Sequence, residues 1–245
     1  MNLLENKTIL VTGASSGLGL RCAELAAGYG ARILAVSRNP EPLEERFPEP
    51  HRVFSCDVSQ EASLLELIPK LKALGAPIHG WVLAAGVQQI RPLLMESRKT
   101  LESSWATNVY GSLGLLGLAL KARLVAKGGS IVFFSSAAAH AGGVGIASYA
   151  ATKGALEAAT HSLAIELSGQ GIRVNAISPG VIRTPMSNKY LDRLTADQVK
   201  SLEAQHPLGF GTPDQVAEPV SFLLSDRAQW ITGSTLLIDG GLTSH

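Results

Sequence analysis

The sequence predicts a single doubly wound α/β domain with a mostly parallel, seven-stranded sheet. Seven short apolar runs are separated mostly by helical patterns, and this alternation is typical of parallel strands joined by crossover helices. The runs are nearly continuous in Val, Ile, Leu and Phe, which indicates strands that helices cover on both faces. A chain of 245 residues with 46% hydrophobic content can bury such a core as one domain over residues 1–245.

The predicted strands place several polar and glycine residues at one edge of the sheet. The strands cover residues 7–11, 32–36, 52–56, 80–84, 130–134, 173–177 and 235–238. In an open α/β sheet the ligand crevice lies outside the carboxyl ends of the strands. We therefore expect one site there, formed by residues that directly follow strands: Gly13, Ser37, Asp57, Gly86, Ser136 and Gly180. Residues 39–50 are rich in Pro and Glu and predict a shortened second helix with loops.

The first strand leads into a glycine-rich turn, residues 12–19, and a helix is predicted over residues 18–29. Strand, glycine turn and helix in this order are typical of a phosphate-binding loop. Glycines allow the backbone to approach a pyrophosphate closely, and the helix N-terminus favours its negative charge. We expect Ser15, Ser16 and Leu18 to contribute groups there. The alternative is an ordinary tight connection.

Tyr149 and Lys153 are four residues apart, so they lie on one face of a helix and can share a site. A tyrosine normally titrates near ~10. An ammonium group about 4 Å away, at an effective dielectric constant of about 20, favours the phenolate by about 4 kcal/mol, or about 3 pKa units. The pair therefore predicts a phenol that exchanges protons with a substrate oxygen near neutral pH. An exposed helix pair is the alternative.

Composition and charge favour small-molecule chemistry. The formal net charge is +1 and no run of Lys or Arg occurs, which argues against nucleic-acid and membrane partners. The polar first seven residues are unlike a signal peptide, no apolar stretch is long enough to span a bilayer, and a cytoplasmic location is expected. Cys22 and Cys56 lack metal-ligand spacing, so we expect reduced core thiols, no disulfide and no metal.

Together these residues resemble the short-chain dehydrogenase/reductase family in its compact, single-domain branch, and 3-oxoacyl-(acyl-carrier) reductase-like members in particular. The family's glycine motif is Thr-Gly-x-x-x-Gly-x-Gly, which Thr12, Gly13, Gly17 and Gly19 match at every fixed position. Further matches follow in the family's order, at Asp57-Val58, Asn108, Ser136, Pro179-Gly180 and Asp239-Gly240-Gly241. The resemblance runs from Lys7 to Leu242. It implies a Rossmann fold and hydride transfer between NAD(P)(H) and a carbonyl or secondary alcohol.

The residues after the second strand favour NADP(H) over NAD(H). An acidic residue at this point would bind the adenosine ribose hydroxyls of NAD and repel an added phosphate. The sequence instead has Ser37-Arg38, and a guanidinium can bind a 2′-phosphate bidentately. The alternative is a solvated arginine, and the glycine loop lacks the extra basic residue of many NADP-using relatives. By resemblance Asp57 accepts from the adenine amino group and Val58 backs the ring, although Asp57 alone would equally suit a turn.

The resemblance also implies the catalytic roles. Tyr149 exchanges a proton with the substrate oxygen, and Lys153 lowers the pKa of the phenol and holds the nicotinamide ribose. Asn108 links this pair to water through a proton relay; without the resemblance it would be a helix-interior amide. Ser136 orients the substrate oxygen, and the thirteen-residue offset to Tyr149 selects it over Ser135. The remaining cofactor contacts fall on Gly86, Ile182 and Thr184.

One segment departs from the family's pattern. Leu83-Ala84-Ala85-Gly86 stands where most relatives have Asn-Asn-Ala-Gly, so a side-chain amide that helps to organise the sheet edge is absent. His140 and His206 fall near the expected substrate mouth. Histidines there are more often surface or loop residues than catalysts, and a tyrosine mechanism needs no imidazole.

The expected substrate is a small-molecule carbonyl or alcohol. Residues 88–94, 137–146 and 186–211 should form the pocket, the last as a mobile lid, and their apolar character suits a modest ketone or an acyl chain. Reduction of a 3-oxoacyl thioester is an alternative, with Lys127 placed to meet an acidic carrier.

Two other protein classes are alternatives to an oxidoreductase. These are a non-catalytic nucleotide sensor and a cofactor-free halohydrin dehalogenase-like lyase. A sensor would have little need for Ser136, Tyr149 and Lys153 together, and such a lyase would not keep a glycine cradle beside Arg38. Relatives commonly form tetramers through helices near residues 108–127 and 149–169, so a homotetramer or homodimer is predicted.

Overall fold

All seven strands of the sheet run parallel, in the order β3-β2-β1-β4-β5-β6-β7, in a computed structural model that describes residues 2–244. The predicted doubly wound fold is confirmed, and the sheet is parallel throughout. The strands are β1 (Thr8–Thr12), β2 (Arg32–Ser37), β3 (Arg52–Ser55), β4 (Ile78–Leu83), β5 (Val125–Phe134), β6 (Arg173–Pro179) and β7 (Thr235–Ile238).

The helices within residues 2–244 cover both faces of the sheet. They are α1 (Gly17–Gly28), α2 (Glu41–Glu44), α3 (Glu61–Lys72), α4 (Arg98–Trp105), α5 (Gly111–Lys121), α6 (Ala147–Leu167), α7 (Pro185–Leu191), α8 (Ala196–Ala204) and α9 (Pro213–Leu224). The second helix is short, as predicted. The helix expected over residues 108–127 ends at Lys121, because Arg123 adopts a left-handed φ of 57° and the chain turns into β5. None of these helices is both long and apolar enough to cross a bilayer.

Two hydrophobic cores lie on opposite faces of the sheet. Ile9 and Val11 of β1 pack with residues of α1 and α9, such as Cys22 and Val216. Leu10, between them, points to the other face, where it packs with residues of α3, α5 and α6. Successive strand residues alternate between faces, so a strand buried on both sides must be apolar at every position. This explains the continuous apolar runs of the sequence.

The strand order reverses at β1, which pairs with β2 on one side and β4 on the other. In doubly wound sheets the crevice beside such a reversal binds the ligand. The chain leaves β1 through the glycine turn and leaves β4 through the Ala84-Ala85-Gly86 segment. A Cβ atom on Gly13 would lie 2.9 Å from the Cα atom of Ala85, so the two segments are in close contact.

Candidate active site

A cavity of about 970 Å³ lies at the carboxyl ends of the strands. This volume is at the upper end of the range for small-molecule sites. Its lining brings together the predicted site residues Gly13, Ser15, Ser16, Gly17, Leu18, Gly19, Ser37, Arg38, Asp57, Val58, Gly86, Ser136, Tyr149, Lys153, Ile182 and Thr184. Asn108 is the predicted site residue outside this lining, and it is fully buried.

The glycine turn has the geometry of an anion cradle. Gly13 and Gly17 have φ angles of 68° and 59°, which side chains with a Cβ rarely adopt. A Cβ on Gly19 would lie 2.4 Å from the carbonyl oxygen of Gly13, so only glycine fits there. Ser16 precedes α1 but makes no side-chain cap, which leaves the helix N-terminus open to an anion.

The segment after β4, which lacks the family amide, is bound to the end of β1. The backbone N–H of Ala85 donates to Oγ1 of Thr12 at 3.1 Å. This bond joins the ends of β1 and β4, and Gly13 lies against backbone atoms of Ala84 and Ala85. Gly86 follows, and a Cβ there would lie 3.3 Å from Oδ1 of Asn108 and 3.5 Å from Nζ of Lys153.

Asn108 lies in a π-helical turn, Ala106–Tyr110, between α4 and α5, rather than in a regular helix. Its Oδ1 accepts from the N–H of Val87 at 2.8 Å, and its Nδ2 donates to the carbonyl of Val87 and to Oγ1 of Thr152, both at 3.0 Å. The side chain therefore fixes the loop after β4 against α6. π-Turns are frequent at functional sites because they turn one side chain away from the regular helical position.

Tyr149 and Lys153 lie on one face of α6, as their spacing predicts. Nζ of Lys153 is 5.6 Å from the centre of the Tyr149 ring and donates to the carbonyl of Phe134 at 2.7 Å. Burial lowers the pKa of Lys153 to about 8. Burial also raises the pKa of Tyr149, and a side-chain hydrogen bond with Ser136 acts in the opposite direction. The net shift of the Tyr149 pKa is therefore upward in this structure, opposite to the predicted direction, because desolvation is its largest cause.

The structure separates the two neighbouring serines. Oγ of Ser135 is directed at α6, where it lies 3.1 Å from the carbonyl of Lys153 and 2.6 Å from Oε1 of Glu157. Oγ of Ser136 instead accepts from the N–H of Ala138 at 3.2 Å and lines the cavity together with Tyr149, whose pKa it acts to lower. The serine that the thirteen-residue offset selects is therefore the one whose Oγ is not bonded to α6.

The residues after β2 and β3 line one part of the same cavity. Ser37 is buried and its Oγ accepts from the N–H of Asn39 at 3.3 Å, whereas Arg38 is exposed. Oδ1 of Asp57 accepts from the N–H and Oγ of Ser59, at 3.0 Å and 2.7 Å. Asp57 therefore stabilises a turn, which is the alternative that the sequence offered for it, and it also lines the cavity. Val58 lies beside it and is 8% exposed.

The loop after β6 completes the cavity wall. Ile182 forms an isolated parallel bridge with Gly211, and Thr184 caps the N-terminus of α7 through Ser187. A Cβ on Gly17 would lie 3.6 Å from the Cβ of Thr184, so this loop lies against the glycine turn. Among residues 2–244, the backbone N–H of Ile182 has no hydrogen-bond acceptor. Such an unpaired amide in a cavity wall can bind a ligand carbonyl.

Comparisons with known proteins agree with this geometry. A family model described as Enoyl-(Acyl carrier protein) reductase matches residues 13–243. D-threitol dehydrogenase of Mycolicibacterium smegmatis is 37% identical, over 98% of this chain and 94% of that protein. The chain belongs to the short-chain dehydrogenase/reductase family. The 3-oxoacyl-[acyl-carrier-protein] reductase of Thermotoga maritima is 32% identical, over 98% of each chain.

Solved structures of short-chain dehydrogenases/reductases share the whole fold. A short chain dehydrogenase/reductase family protein is 34% identical, with a TM-score of 0.88, over 99% of this chain and 100% of that one. The Short-chain dehydrogenase/reductase SDR:Glucose/ribitol dehydrogenase from Brucella melitensis is 30% identical, with a TM-score of 0.90, over 98% of both chains. As a member of the family, the chain is an NAD(P)-dependent oxidoreductase acting on alcohol and carbonyl groups.

Glu157 lies beside this short-chain dehydrogenase/reductase site, bonded to Ser135 and His140, and no sequence motif identifies it. Glu157 lies on the same helix face as Tyr149 and Lys153, and this repeated spacing of four residues is a signal that could have revealed it. His206 lies in the loop after α8, as expected, but it is 3% exposed rather than at the surface, and it is hydrogen-bonded at both ring nitrogens. His140 is partly exposed, as expected, and its Nε2 lies 2.9 Å from Oε1 of Glu157.

Proposed function

We propose that this enzyme interconverts a ketone and a secondary alcohol with NADP(H), using Tyr149 as the acid and base. The observation that carries the proposal is that Ser136, Tyr149 and Lys153 line the same cavity as the glycine turn. A phosphate-binding turn and a proton-transfer group on one cavity bring a dinucleotide and a substrate oxygen together.

Each residue has a distinct task in the proposed reaction. When bound, the nicotinamide supplies or accepts the hydride. Tyr149 donates its phenolic proton to the carbonyl oxygen during reduction and recovers a proton from the alcohol during oxidation. Ser136 donates a hydrogen bond that orients the same oxygen. Lys153, with a pKa lowered to about 8, carries positive charge at neutral pH; it holds the ribose and returns a proton to Tyr149 through the relay that includes Asn108.

Arg38 supports the preference for NADP(H). Its side chain is exposed beside the cavity and has no ion-pair partner in the described part of the chain. A guanidinium without a carboxylate partner can bind a phosphate with two parallel hydrogen bonds. Ser37 before it is neutral, so no carboxylate at this point repels the phosphate.

The test follows the absorbance of NADPH and NADH while a panel of small ketones is added. We expect NADPH to be consumed with at least a tenfold higher kcat/KM than NADH, and Arg38→Leu to lose that preference. Arg98→Leu is the matched control, because Arg98 is an exposed arginine on α4 that pairs with Glu102. An equal rate with NADH would reject the role of Arg38, and no consumption of either cofactor would reject the reaction.

Reduction of a 3-oxoacyl thioester is a second candidate within the same chemistry. Leu93, Leu94 and Met95 are 64%, 95% and 65% exposed in the loop after β4. This loop is joined to the segment after Ser136 by the bond from Arg91 N–H to the Gly145 carbonyl at 2.7 Å. An apolar rim of this kind suits an acyl chain. If thioesters of 3-oxo acids are turned over more slowly than small ketones, this candidate fails.

We also propose a homodimer or homotetramer in the cytoplasm. Trp230 is 99% exposed, and Leu236 and Leu237 of the edge strand β7 are 41% and 43% exposed. On α6, Ile165 is 79% exposed. Apolar side chains of this size favour burial against a second copy of the chain. Light scattering coupled to size-exclusion chromatography measures the assembly directly, and a monomeric mass would contradict the proposal.

A further inference from the structure

His206 is held in one tautomer by two backbone groups. Its Nε2 accepts from the N–H of Val181 at 3.2 Å, and Nδ1 lies 3.0 Å from the carbonyl of Leu202. A carbonyl only accepts, so Nδ1 carries the proton and Nε2 presents its lone pair to Val181. The ring is 3% exposed and packs edge-on against Phe210, with 5.3 Å between the ring centres.

The N–H that donates to His206 belongs to Val181, in the loop after β6. Other groups hold the rest of that backbone: the Val181 carbonyl accepts from Gly211 N–H, Arg183 N–H donates to the Gly211 carbonyl, and Oγ of Ser187 donates to the Ile182 carbonyl. His206 accepts the hydrogen bond from the N–H of Val181. Val181 directly precedes Ile182, whose own N–H is unpaired. The imidazole therefore helps to set the direction of that unpaired N–H.

The same ring also bonds to α8. His206 lies two residues after the end of that helix, and its Nδ1 bonds to a carbonyl in the last helical turn. Leu202, Gln205 and His206 all line the cavity together with Val181 and Ile182. One side chain thus connects α8 to the loop after β6, and movement of either element changes the bond to Val181.

We propose that His206 is a positioning residue that holds the Val181-Ile182 backbone in its cofactor-binding conformation and links it to α8. The inference rests on the proposed function, in which Ile182 and Thr184 contact the cofactor. His206 acts through the loop and does not contact reacting atoms. The expected consequence is a change in cofactor affinity rather than in proton transfer.

Two polar variants separate the two hydrogen bonds. In His206→Asn the side-chain amide reaches only as far as Nδ1, so the bond to Leu202 is kept and the bond to Val181 is lost. In His206→Gln the amide oxygen reaches the position of Nε2 and can accept from Val181. We expect the Kd for NADPH, measured by calorimetry, to rise about tenfold in the Asn variant and less than about threefold in the Gln variant. His161→Asn, at an exposed histidine of α6, is the matched control.

Hydrogen–deuterium exchange at the Val181 amide gives a readout without cofactor. We expect faster exchange in His206→Asn than in His206→Gln, whose exchange stays near the unmodified protein. Equal exchange, or equal NADPH affinity, in the two variants would overturn the proposal. If the Asn variant does not fold, the Gln variant alone tests the proposal. A folded Gln variant whose Val181 amide exchanges as slowly as in the unmodified protein supports the proposal, and one whose Val181 amide exchanges faster overturns it. If the unmodified protein binds neither NADPH nor NADH, the proposed function fails, while Val181 exchange still tests His206.

Discussion

Asn108 and Val87 bind each other through two hydrogen bonds, one in each direction. The N–H of Val87 donates to Oδ1 at 2.8 Å, and Nδ2 donates back to the Val87 carbonyl at 3.0 Å. Nδ2 also donates to Thr152 on α6, one residue before Lys153. One buried amide therefore connects the loop after β4 to the helix that carries Tyr149 and Lys153.

Replacing Asn108 with Leu should destabilise the enzyme. The substitution roughly keeps the side-chain volume but leaves both backbone groups of partly buried Val87 without these partners, at a cost of about 1–3 kcal/mol in the free energy of unfolding. Urea denaturation measures this cost. Ser112→Ala is the control, since it removes one hydrogen bond to the Asn108 carbonyl and should cost about 1 kcal/mol or less. An unchanged midpoint for Asn108→Leu would contradict the role of the amide.

The adjacent serines should respond differently to alanine. Ser135→Ala removes a partly buried hydrogen bond to Glu157 and should lower the free energy of unfolding by about 1 kcal/mol, with kcat reduced less than about threefold. Ser136→Ala should reduce kcat by about 10²-fold, because it removes the hydroxyl beside Tyr149, and should leave stability nearly unchanged. The reverse pattern would show that the functional serine is Ser135.

Two glycines of α1 form a matched pair. Gly19→Ala places a methyl group 2.4 Å from the Gly13 carbonyl, so the cradle must shift, and the Kd for NADPH should rise at least about tenfold. Gly28→Ala meets no atom within 4 Å and should be neutral or up to about 1 kcal/mol more stable. Calorimetric titration with NADPH and thermal unfolding measure both effects. Unchanged affinity in Gly19→Ala would contradict the cradle.

Buried Lys153 should make stability depend on alkaline pH. Its folded-state pKa is lowered to about 8 from 10.5, so between these values the unfolded chain binds more protons than the folded protein. The contribution of Lys153 to the free energy of unfolding should therefore rise as pH rises through this window, by about 2–3 kcal/mol. In urea denaturation, the free energy of unfolding of the unmodified enzyme minus that of Lys153→Met should therefore increase from pH 7.5 to 10. A constant difference would refute the lowered pKa.

Local patterns of the sequence predicted the strands, the glycine turn and the pairing of Tyr149 with Lys153. Each depends on residues close in the chain: continuous apolar runs, glycines at fixed offsets and a spacing of one helical turn. The doubly wound topology then brought these segments to one edge of the sheet, because parallel strands share the direction of their carboxyl ends.

Other features depend on contacts between distant segments. The bond between His206 and Val181 spans 25 residues, and no local pattern announces it. Asn108 lies in a π-helical turn and bonds to Val87 and Thr152, which are 21 and 44 residues away in the chain. A helical pattern in the sequence predicts a regular helix there and does not reveal these partners. The pKa of Tyr149 was misjudged for a similar reason, since burial depends on the assembled cavity and not on the distance to Lys153.

Tyr149→Phe tests the central claim most directly, because it removes one oxygen and keeps the ring. We expect kcat for ketone reduction to fall by a factor of about 10²–10⁴, with the Kd for NADPH within about threefold of the unmodified enzyme. Rate measurements at saturating NADPH and calorimetric titration provide the two values. A Phe variant that reduces ketones at the full rate would contradict the assignment of Tyr149 as the proton donor.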